Sequence, residues 1–426
     1  MNLNNLLGNN PRTSKANKNI LISLGIKGVD CIVQLLLIPI TLDYLNAYEY
    51  GLWLTLNSIL LWINTFDIGM GNGFRNQLAI AVANEDIMLA KSLVSTSFAM
   101  IAMIMIAILL IVSPIVLNLN WYNILGADPN SVENLKDIVY ISFVLFCINF
   151  MVKFIGNVYL AMQMPSINNL LVSLGHLLSL IIIFILTKTT NGSLFNIAVT
   201  FSLSPVIIYI IAYPITFNMI YKDFKPTLFM FQKKYIRKLF NTGFLFFLLQ
   251  ICGIILFAMS NIIISRMFGP EKVTPYNIAF RYFSLINLFA SILISPMWSA
   301  VTEAYAKKEM DWISKSIRSV EKRMYLLGGA IIIMVIISDY IYKAWIDSKV
   351  EIPSLMSFMM ALYVYIIAFS TSYSYFLNGM SKLRIQFVNI AAMTILYLPL
   401  CYYFGKLLGI YGILLSMILL NIPGLI

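Results

Sequence analysis

Five ionisable side chains lie inside long apolar stretches of the sequence, where little water is expected. They are Lys27, Asp30, Lys153, His176 and Arg281. A charge near the centre of a membrane-spanning helix costs about 2.5–3.5 kcal/mol on insertion scales, so each group should face a partner or a watery cavity. The cations outnumber Asp30, the single acid of this set. An anionic ligand is therefore expected, and phosphate fits best because Lys and Arg both bind it.

Each of these residues also has a simpler interpretation. Lys27 and Asp30 are three residues apart and share a helix face, so they could form an internal ion pair that only cancels its own cost. Arg281 lies near the predicted outer end of its helix, from which its side chain could snorkel to the interface. A lone histidine in an apolar helix is more often packed and hydrogen-bonded than a proton carrier. Lys153 is too deep in its helix for comfortable snorkelling.

The elements that hold these residues are predicted to be membrane-spanning helices. The chain of 426 residues is 60% hydrophobic and 11% charged, with a mean hydropathy of +0.85, which is too apolar for a water-soluble core. An apolar run of about 20 residues can cross a hydrocarbon layer of about 30 Å. The twelve runs that fit are Asn19–Leu42, Tyr48–Phe66, Leu93–Leu119, Ile138–Met162, Ile167–Thr187, Leu194–Ile220, Leu239–Arg266, Pro275–Val301, Met324–Tyr342, Pro353–Asn378, Leu383–Phe404 and Gly409–Ile426.

A weak internal repeat divides the chain into halves. When the sequence is aligned with itself at one constant offset, Glu85 aligns with Glu309, Lys91 with Lys315, Ser92 with Ser316 and Ser95 with Ser319. We therefore predict an all-α membrane protein with two six-helix lobes, at residues 19–220 and 239–426, related by a pseudo-two-fold axis along the membrane normal. Residues 1–18 form a polar tail. Residues 221–238 form a basic linker, either at the anionic inner leaflet or as plain solvated chain.

The distribution of Lys and Arg predicts the orientation. Nineteen of these residues lie in connections on the N-terminal side of the membrane and seven on the other side. The positive-inside rule then places both termini in the cytoplasm. The same rule explains the formal net charge of +11, so nucleic acid is not an expected partner.

Two polar intervals carry candidate gate residues. Asp67 and Arg75 flank the glycine-rich segment Gly69–Gly73, and Glu303 lies in the related second interval. The glycine segment lacks the spacings of nucleotide loops and no strand precedes it, so we expect it to allow close helix packing or a flexible helix end. The charges could form a cytoplasmic gate, although charges at a helix end are more often plain surface residues. Arg75 to Lys91 would be a cytoplasmic extension or an interfacial helix.

Catalysis and metal binding are not expected. The sequence has one His, no thiol near it and no acidic pair at a matched spacing, which leaves little for general acid and base chemistry. The four cysteines lie in apolar runs without a CxxC motif and are expected to be core residues. No connection is long enough for an extramembrane catalytic domain. We therefore expect neither an enzyme nor a resident cofactor or metal.

The run EYGLWLTLNSILLWINTFDIGMGNGFRNQLAIAVANED, at Glu49–Asp86, resembles the Tyr-Gly…Trp…Asp-x-Gly-x-Gly signature of polysaccharide transporters in the MOP (multidrug/oligosaccharidyl-lipid/polysaccharide) exporter superfamily. Phe268–Leu285 and Pro296–Ile313 are similar to the helix-eight region of O-antigen and capsule-unit flippases. The resemblance implies a two-lobed transporter that works by alternating access. Its implied cargo is an undecaprenyl-pyrophosphate-linked oligosaccharide repeat unit, carried from the inner to the outer leaflet of the cell inner membrane.

The resemblance also assigns roles to residues. In the related peptidoglycan-precursor flippases, cations on helices one and eight line a central cavity, which carries this role to Lys27 and Arg281; the charge argument adds Lys153. Lys27 stands where arginine is often met, and it cannot make a bidentate clamp. No ATP site is visible, and Asp30 is the first candidate for coupling to Na⁺ or H⁺. Expected partners are the lipid-linked substrate, membrane lipids, and the polymerase and chain-length proteins of polysaccharide biosynthesis.

The main alternative is a cation-coupled multidrug exporter of the same superfamily. Cationic drugs require carboxylates in the cavity, and Asp30 stands against three cations, so the electrostatics disfavour it. A membrane enzyme of envelope assembly is disfavoured because no large loop is present.

Overall fold

The computed structural model describes residues 11–63, 70–162, 164–236, 244–290, 294, 301, 304–305, 308–347, 349–380 and 382–425. Within these ranges the chain is almost entirely helical and contains no strand. The α-helices are α1 (Pro11–Tyr44), α2 (Ala47–Leu60), α3 (Met70–Ala83), α4 (Ile87–Asn118), α5 (Trp121–Leu125), α6 (Leu135–Lys153), α7 (Ile155–Ala161), α8 (Pro165–Thr189), α9 (Leu194–Pro214), α10 (Phe244–Phe268), α11 (Val273–Phe283), α12 (Met310–Ile346), α13 (Ser354–Gly379), α14 (Leu383–Leu408) and α15 (Ile410–Asn421). The predicted all-helical class is confirmed.

Eight helical stretches among the described residues are long and apolar enough to cross a membrane. A helix satisfies its own backbone hydrogen bonds, which is why such apolar runs can enter lipid. The eight stretches are Gly25–Tyr44, Ile87–Asn118, Leu135–Ala161, Pro165–Thr189, Leu194–Ile220, Met310–Ile346, Ser354–Asn378 and Gln386–Leu408. The predicted second, seventh and eighth spans extend into residues outside the described ranges.

Three long helices begin at least six residues earlier than the apolar pattern predicts. Helix α1 begins at Pro11 rather than Asn19, so the end of the predicted polar tail is helical. Helix α4 begins at Ile87 rather than Leu93, because the Asp86 side chain caps it by accepting the Leu89 N–H at 2.9 Å. Helix α12 begins at Met310 rather than Met324. Hydropathy finds only the segment that can lie in lipid, so polar turns at the start of a helix are missed. Asp339 lies in the predicted ninth span and is exposed within the continuous α12.

Two of the predicted continuous spans are interrupted. The fourth consists of α6 and α7, which are separated by a single turn residue, Phe154. The centroid of the Phe154 ring lies 5.1 Å from that of Phe74 and 5.4 Å from that of Phe98, in the core of this region. The sixth changes from α-helix to a π-helical turn directly after Pro214, where proline supplies no N–H for the helical ladder.

The first polar interval is largely a separate helix rather than an extended connection. Helix α3 buries Phe74 and Leu78 completely, and Gly71 and Gly73 are buried on it as well. Buried glycines permit close helix packing, which agrees with one of the two roles expected for the glycine segment. A turn with Glu85 in the left-handed conformation (φ 57°) then leads into α4.

Packing divides the chain into two compact units. Unit 1 comprises Met1–Leu45, Leu60–Tyr122 and Asp128–Phe247, and unit 2 comprises Asn46–Ile59, Asn123–Ala127 and Leu248–Ile426. Helix α2 therefore packs with the second half of the chain, although it precedes most of the first half in sequence. The symmetry and the boundaries of the two predicted lobes stay predictions.

The connector after α9 is bound to α4 within unit 1. The backbone N–H of Thr227 donates to Ser95 Oγ at 3.0 Å, and that of Gln232 donates to Thr96 Oγ1 at 3.1 Å. Ser92 Oγ donates to the Met230 carbonyl oxygen at 2.9 Å. These contacts hold residues 227–232 against α4, and both locations considered for the linker stay predictions. Phe229 between them is fully exposed.

Candidate functional site

The best-defined polar group inside an apolar helix is Asp30 on α1. Its Oδ1 lies 2.7 Å from Nδ1 of His176 on α8, and its Oδ2 accepts from Gln34 Nε2 at 2.7 Å. The side chain of Asp30 is 17% exposed and that of His176 is 36% exposed. This arrangement satisfies the carboxylate across two helices while leaving a route for water or an ion to reach it.

A repeating register brings this pair together. Asp30 and His176 are 146 residues apart, and the same separation joins Ser23 to Asn169, whose side chains hydrogen-bond, and Tyr44 to Thr190, which meet at 2.8 Å. Along the line of contact, the residue numbers on α1 and α8 both increase, in steps that are multiples of seven. The two helices therefore run parallel and meet along a heptad-like seam. Two helices locked in register hold the Asp30 and His176 side chains at a fixed separation.

Lys27 does not contribute to this pair. No ion pair joins Lys27 to Asp30, although the structure describes both residues, and the Lys27 side chain is exposed. The internal ion pair considered from their three-residue spacing is therefore wrong. Asp30 obtains its partners from α8 and from the next turn of its own helix instead, because these groups lie on the face that packs against α8.

Lys153 lies where the fourth span is interrupted. It is the last residue of α6, immediately before the Phe154 turn, and it is half-buried. Its Nζ lies 4.6 Å from the centre of the Phe150 ring, in a cation–π contact. The negative end of the α6 dipole also favours a cation here. Lys153 is thus compensated by its surroundings, and this compensation explains how a cation can lie so deep in its span.

Arg281 is exposed on α11 in unit 2. The opposite face of this helix is buried through Ala279 and Phe283. The Arg281 charge also acts electrostatically on the buried hydroxyl of Tyr50 on α2. Because α11 packs through these buried residues, the backbone of Arg281 is held in place.

The two motif regions that carried the resemblance contact each other in unit 2. A Cβ on Gly51 would collide with the carbonyl oxygen of Pro270, so only glycine permits the approach of α2 to the turn that precedes α11. Thr274 Oγ1 donates to the Ala47 carbonyl oxygen at 2.6 Å. Gly269 has a φ of 94°, a conformation that side chains rarely adopt. These motif glycines therefore serve packing rather than ligand binding.

Of the candidate gate residues, the structure describes only Arg75. Arg75 is exposed on α3. Asp67 and Glu303 lie outside the described residues, so the gate stays a prediction, as do the roles given to Lys27, Lys153, Arg281 and Asp30.

The sequence matches the family model described as "Polysaccharide biosynthesis protein" over residues 16–302, which is more than half of the chain. The chain belongs to this family. Similar full-length relatives are a candidate O-antigen export protein of Yersinia pseudotuberculosis and a candidate O-antigen transporter of Salmonella typhimurium strain LT2. The first is 23% identical and covers 92% of this chain and 90% of the relative; the second is 22% identical and covers 91% and 89%.

Solved transporters share the fold. An inward-facing multidrug resistance MATE family transporter of the MOP superfamily aligns with a TM-score of 0.75 at 15% identity, covering 93% of each chain. A MOP superfamily transporter from Pyrococcus furiosus, described as having a binding pocket of reversed polarity, aligns with a TM-score of 0.65 at 15% identity, covering 96% of this chain and 94% of its own. The predicted polysaccharide family is confirmed by the family model, and the solved transporters confirm the predicted helical transporter fold.

The pairing of Asp30 with His176 is the main feature of the site that sequence reasoning missed. Both residues had been identified as rare ionisable groups in apolar spans, but each was considered alone. The signal was their occurrence in two spans of the same half with complementary chemistry. Nothing in the sequence gave the register of α1 against α8, which depends on the packing of the whole seam.

Proposed function

We propose that this protein is a flippase that carries an undecaprenyl-pyrophosphate-linked oligosaccharide repeat unit from the inner to the outer leaflet of the cell inner membrane. It works by alternating access and performs no catalysis. Membership of the polysaccharide biosynthesis family is the observation that carries the proposal. The relatives described as candidate O-antigen export proteins support the choice of cargo.

The charges inside the apolar helices support an anionic substrate. Lys27 is exposed in the apolar stretch Gly25–Tyr44 of α1, Arg281 is exposed on α11, and Lys153 is half-buried at a helix interruption. An exposed cation in such a helix is costly unless it meets water or an anion. In the proposed mechanism these three residues bind the pyrophosphate group in a cationic cavity. Arg281 supplies a forked donor, while the two lysines act as point charges.

The membrane potential can supply the driving force. With the cytoplasm negative, moving one negative charge outward across 100 mV releases about 2.3 kcal/mol. Export moves the negative charge of the pyrophosphate headgroup outward, which the potential favours, so no nucleotide hydrolysis is needed for this step. The empty carrier must then return, and a coupled ion can bias that step.

Asp30 is the proposed coupling residue. Its carboxylate is partly accessible and is held by His176 and Gln34, so H⁺ or Na⁺ could displace or share these contacts. Because α1 and α8 are held in register, a change in the Asp30–His176 contact would alter the packing of one span against the other. Coupling to H⁺ predicts dependence on the pH gradient, and coupling to Na⁺ predicts dependence on the sodium gradient.

The proposed topology places both termini in the cytoplasm. In this orientation the start of α4 and the connector bound to it face the cytoplasm. The substrate would be received from the glycosyltransferases of O-antigen, capsule or other lipopolysaccharide biosynthesis on that side. It would be delivered to the polymerase and chain-length proteins on the other side, together forming a polysaccharide assembly pathway.

A second candidate is a cation-coupled multidrug exporter, which is favoured only by the shared MATE fold. Asp30, the acid proposed for coupling, already has a histidine partner, which leaves it less available to a cationic drug.

The decisive experiment replaces the proposed cations one at a time in a strain that lacks the chromosomal gene. Lys27→Ala and Arg281→Ala should each reduce surface polysaccharide about tenfold or more, because each removes a charged contact of about 1.5–3 kcal/mol. Matched controls are Lys188→Ala at the end of α8 and Arg266→Ala at the end of α10, which should leave polymer unchanged. Surface polymer is measured by immunoblotting, and membrane abundance of each variant is measured in parallel.

Normal polymer in both cation variants at normal abundance would exclude the cationic cavity. Normal polymer in the deletion strain, together with a new sensitivity to cationic drugs, would favour the multidrug exporter instead.

A further inference from the structure

A group of helices within unit 2 lines a half-open cavity that the proposed mechanism does not use. Helices α13 and α14 form most of it, with single contributions from α10 and α15. Its volume is about 360 Å³. Small-molecule sites in proteins span about 300–1,000 Å³, so the cavity is large enough for a sugar ring.

The cavity is mainly apolar, and the polar part of its lining is neutral. Its polar lining comes from hydroxyl and amide side chains, and no charged side chain lines it among the described residues. The members on which the argument depends are Ser374, Asn378, Gln386 and Asn389. Such a lining resembles neither the cationic residues proposed for pyrophosphate nor the acidic residues that a cationic ligand requires. It suits a ligand with many hydroxyl groups and no net charge.

Two lining residues have unsatisfied acceptors. The side-chain oxygens of Asn378 on α13 and Gln386 on α14 are buried and have no hydrogen-bond partner among the described residues. Buried polar atoms in folded proteins are normally paired, so an unpaired amide oxygen at a cavity indicates a missing donor. Two such acceptors on neighbouring helices can receive two hydroxyl or amide N–H donors from one ligand.

Aromatic rings lie on the same helix as the cavity. Tyr365, Phe369 and Tyr373 follow one another at intervals of four residues along α13, with centroids 5.9 Å and 5.6 Å apart. Tyr373 lines the cavity, and its hydroxyl donates to Glu321 Oε1 at 2.8 Å, which holds the ring in place. The electron-rich face of an aromatic ring attracts the weakly positive C–H groups of a pyranose. Rigid aromatic rings beside amide acceptors therefore suit carbohydrate.

We propose that this cavity binds an uncharged pyranose of the transported repeat unit. The proposal rests on the flippase function proposed above and adds that the substrate is recognised at two places, through its pyrophosphate and through a neutral sugar. Asn378 and Gln386 accept hydrogen bonds from sugar hydroxyl or N-acetyl N–H groups, and Tyr373 contacts the ring. A charged sugar is disfavoured here because the lining offers it no compensating charge.

The position of the cavity agrees with loading from the cytoplasm. Asn378 is near the end of α13, and Gln386 is in the first turn of α14, so both flank the short connection between these helices. In the proposed topology that connection is cytoplasmic. A repeat unit assembled on the cytoplasmic face would therefore meet this cavity early in its transport.

The test compares two ligands that differ only in the sugar. Full-length protein in lipid nanodiscs is titrated with undecaprenyl-pyrophosphate-linked oligosaccharide extracted from the native host, and separately with undecaprenyl pyrophosphate that carries no sugar. Asn378→Leu and Gln386→Met keep approximate side-chain size and remove the acceptors. Each should weaken binding of the glycosylated lipid about tenfold, as expected for one lost hydrogen bond, and leave binding of the bare lipid unchanged.

The bare lipid also reports whether each variant is folded. A variant that fails to bind it is replaced by Ser374→Ala, which removes one hydroxyl from the same cavity with little change in packing. Asn118→Leu, at the end of α4 in unit 1, is the matched control and should bind both ligands normally.

The outcomes separate this proposal from the flippase function. Equal affinity of the wild-type protein for the two lipids, or unchanged affinity of the cavity variants for the glycosylated lipid, would overturn the sugar site and leave the flippase function intact. Failure of the wild-type protein to bind either lipid would overturn both. Stabilisation by NaCl but not by KCl, lost in the cavity variants, would instead identify a cation site.

Discussion

The two units bury polar groups in apolar helices in different ways. In unit 1, α1 and α8 meet through an ionisable contact between Asp30 and His176. This contact lies in a line of polar side-chain contacts between the two helices. Unit 2 uses neutral groups, such as the buried contact between Ser260 Oγ and the Tyr397 hydroxyl at 2.6 Å and the unpaired amides of Asn378 and Gln386. An ionisable pair can change its charge during a transport cycle, whereas a neutral cavity keeps the same chemistry throughout.

This difference suggests a division of labour under the proposed function. Unit 1 would respond to ions through Asp30, and unit 2 would recognise the sugar through its neutral cavity. The proposed phosphate-binding cations occur in both units, with Lys27 and Lys153 in unit 1 and Arg281 in unit 2. The internal repeat had suggested two equivalent halves. The polar groups described above differ in chemistry between the two units.

The largest expected effect concerns the ionisable pair. Asp30→Asn keeps the shape of the side chain but removes the charge that would bind H⁺ or Na⁺. Ion-driven transport of the lipid-linked substrate should fall about tenfold to hundredfold, the equivalent of one charged contact of about 1.5–3 kcal/mol. Transport into vesicles is measured with the H⁺ and Na⁺ gradients imposed separately.

Asp137→Asn provides the matched control, because Asp137 is exposed in the first turn of α6. It should retain full coupling. If Asp30→Asn still responds to both gradients as the wild type does, the ion-responsive role of unit 1 is wrong.

A smaller effect compares one contact from each unit. His176→Leu leaves the Asp30 carboxylate with only the neutral partners Gln34 and Ser173 and should lower stability by about 1.5–3 kcal/mol, as expected for a lost charged hydrogen bond. Tyr397→Phe in unit 2 removes a neutral contact and should lower stability by about 0.5–1.5 kcal/mol. The melting temperatures of both variants, measured in the same detergent, show which variant loses more stability. A larger loss for Tyr397→Phe would contradict the expected difference between the units.

The last effect concerns packing within unit 2. Gly51→Ala places a methyl group against the Pro270 carbonyl and should lower stability by about 1–3 kcal/mol. Gly25→Ala on α1 is the control, because nothing lies within 4 Å of the added carbon there. Equal melting temperatures for the two variants would show that the contact between the motif regions does not restrict residue 51.

The sequence predicted the fold class and the rare charges because both depend on local composition. Long apolar runs identify spans, and a charge such as Lys153 within a run is visible at once. The starts of α4 and α12 were missed because their first turns are polar, and the interruption at Phe154 was missed because it has no proline or glycine signal. Helix α3 was predicted only as an extension or interfacial segment because hydropathy does not detect short polar helices.

The candidate site was predictable only in part. Asp30 and His176 were identified individually, but their pairing depends on the register of two helices that are 146 residues apart. The cavity of unit 2 gave no sequence signal, because Asn378 and Gln386 are ordinary polar residues near helix ends. The motif glycines were recognised as family markers, and the structure gives the physical reason at Gly51, where a neighbouring carbonyl leaves no room for a side chain.

Reconstituted transport of the lipid-linked oligosaccharide tests the central claim most directly. Purified protein in proteoliposomes, with a potential negative on the side of substrate loading, should move the labelled oligosaccharide to the opposite leaflet, where an added lectin binds it. Lys27→Ala and Arg281→Ala should slow this transfer about tenfold or more, and Lys188→Ala should not. Transfer no faster than in empty liposomes, or equal rates in the wild-type and cation variants, would contradict the account.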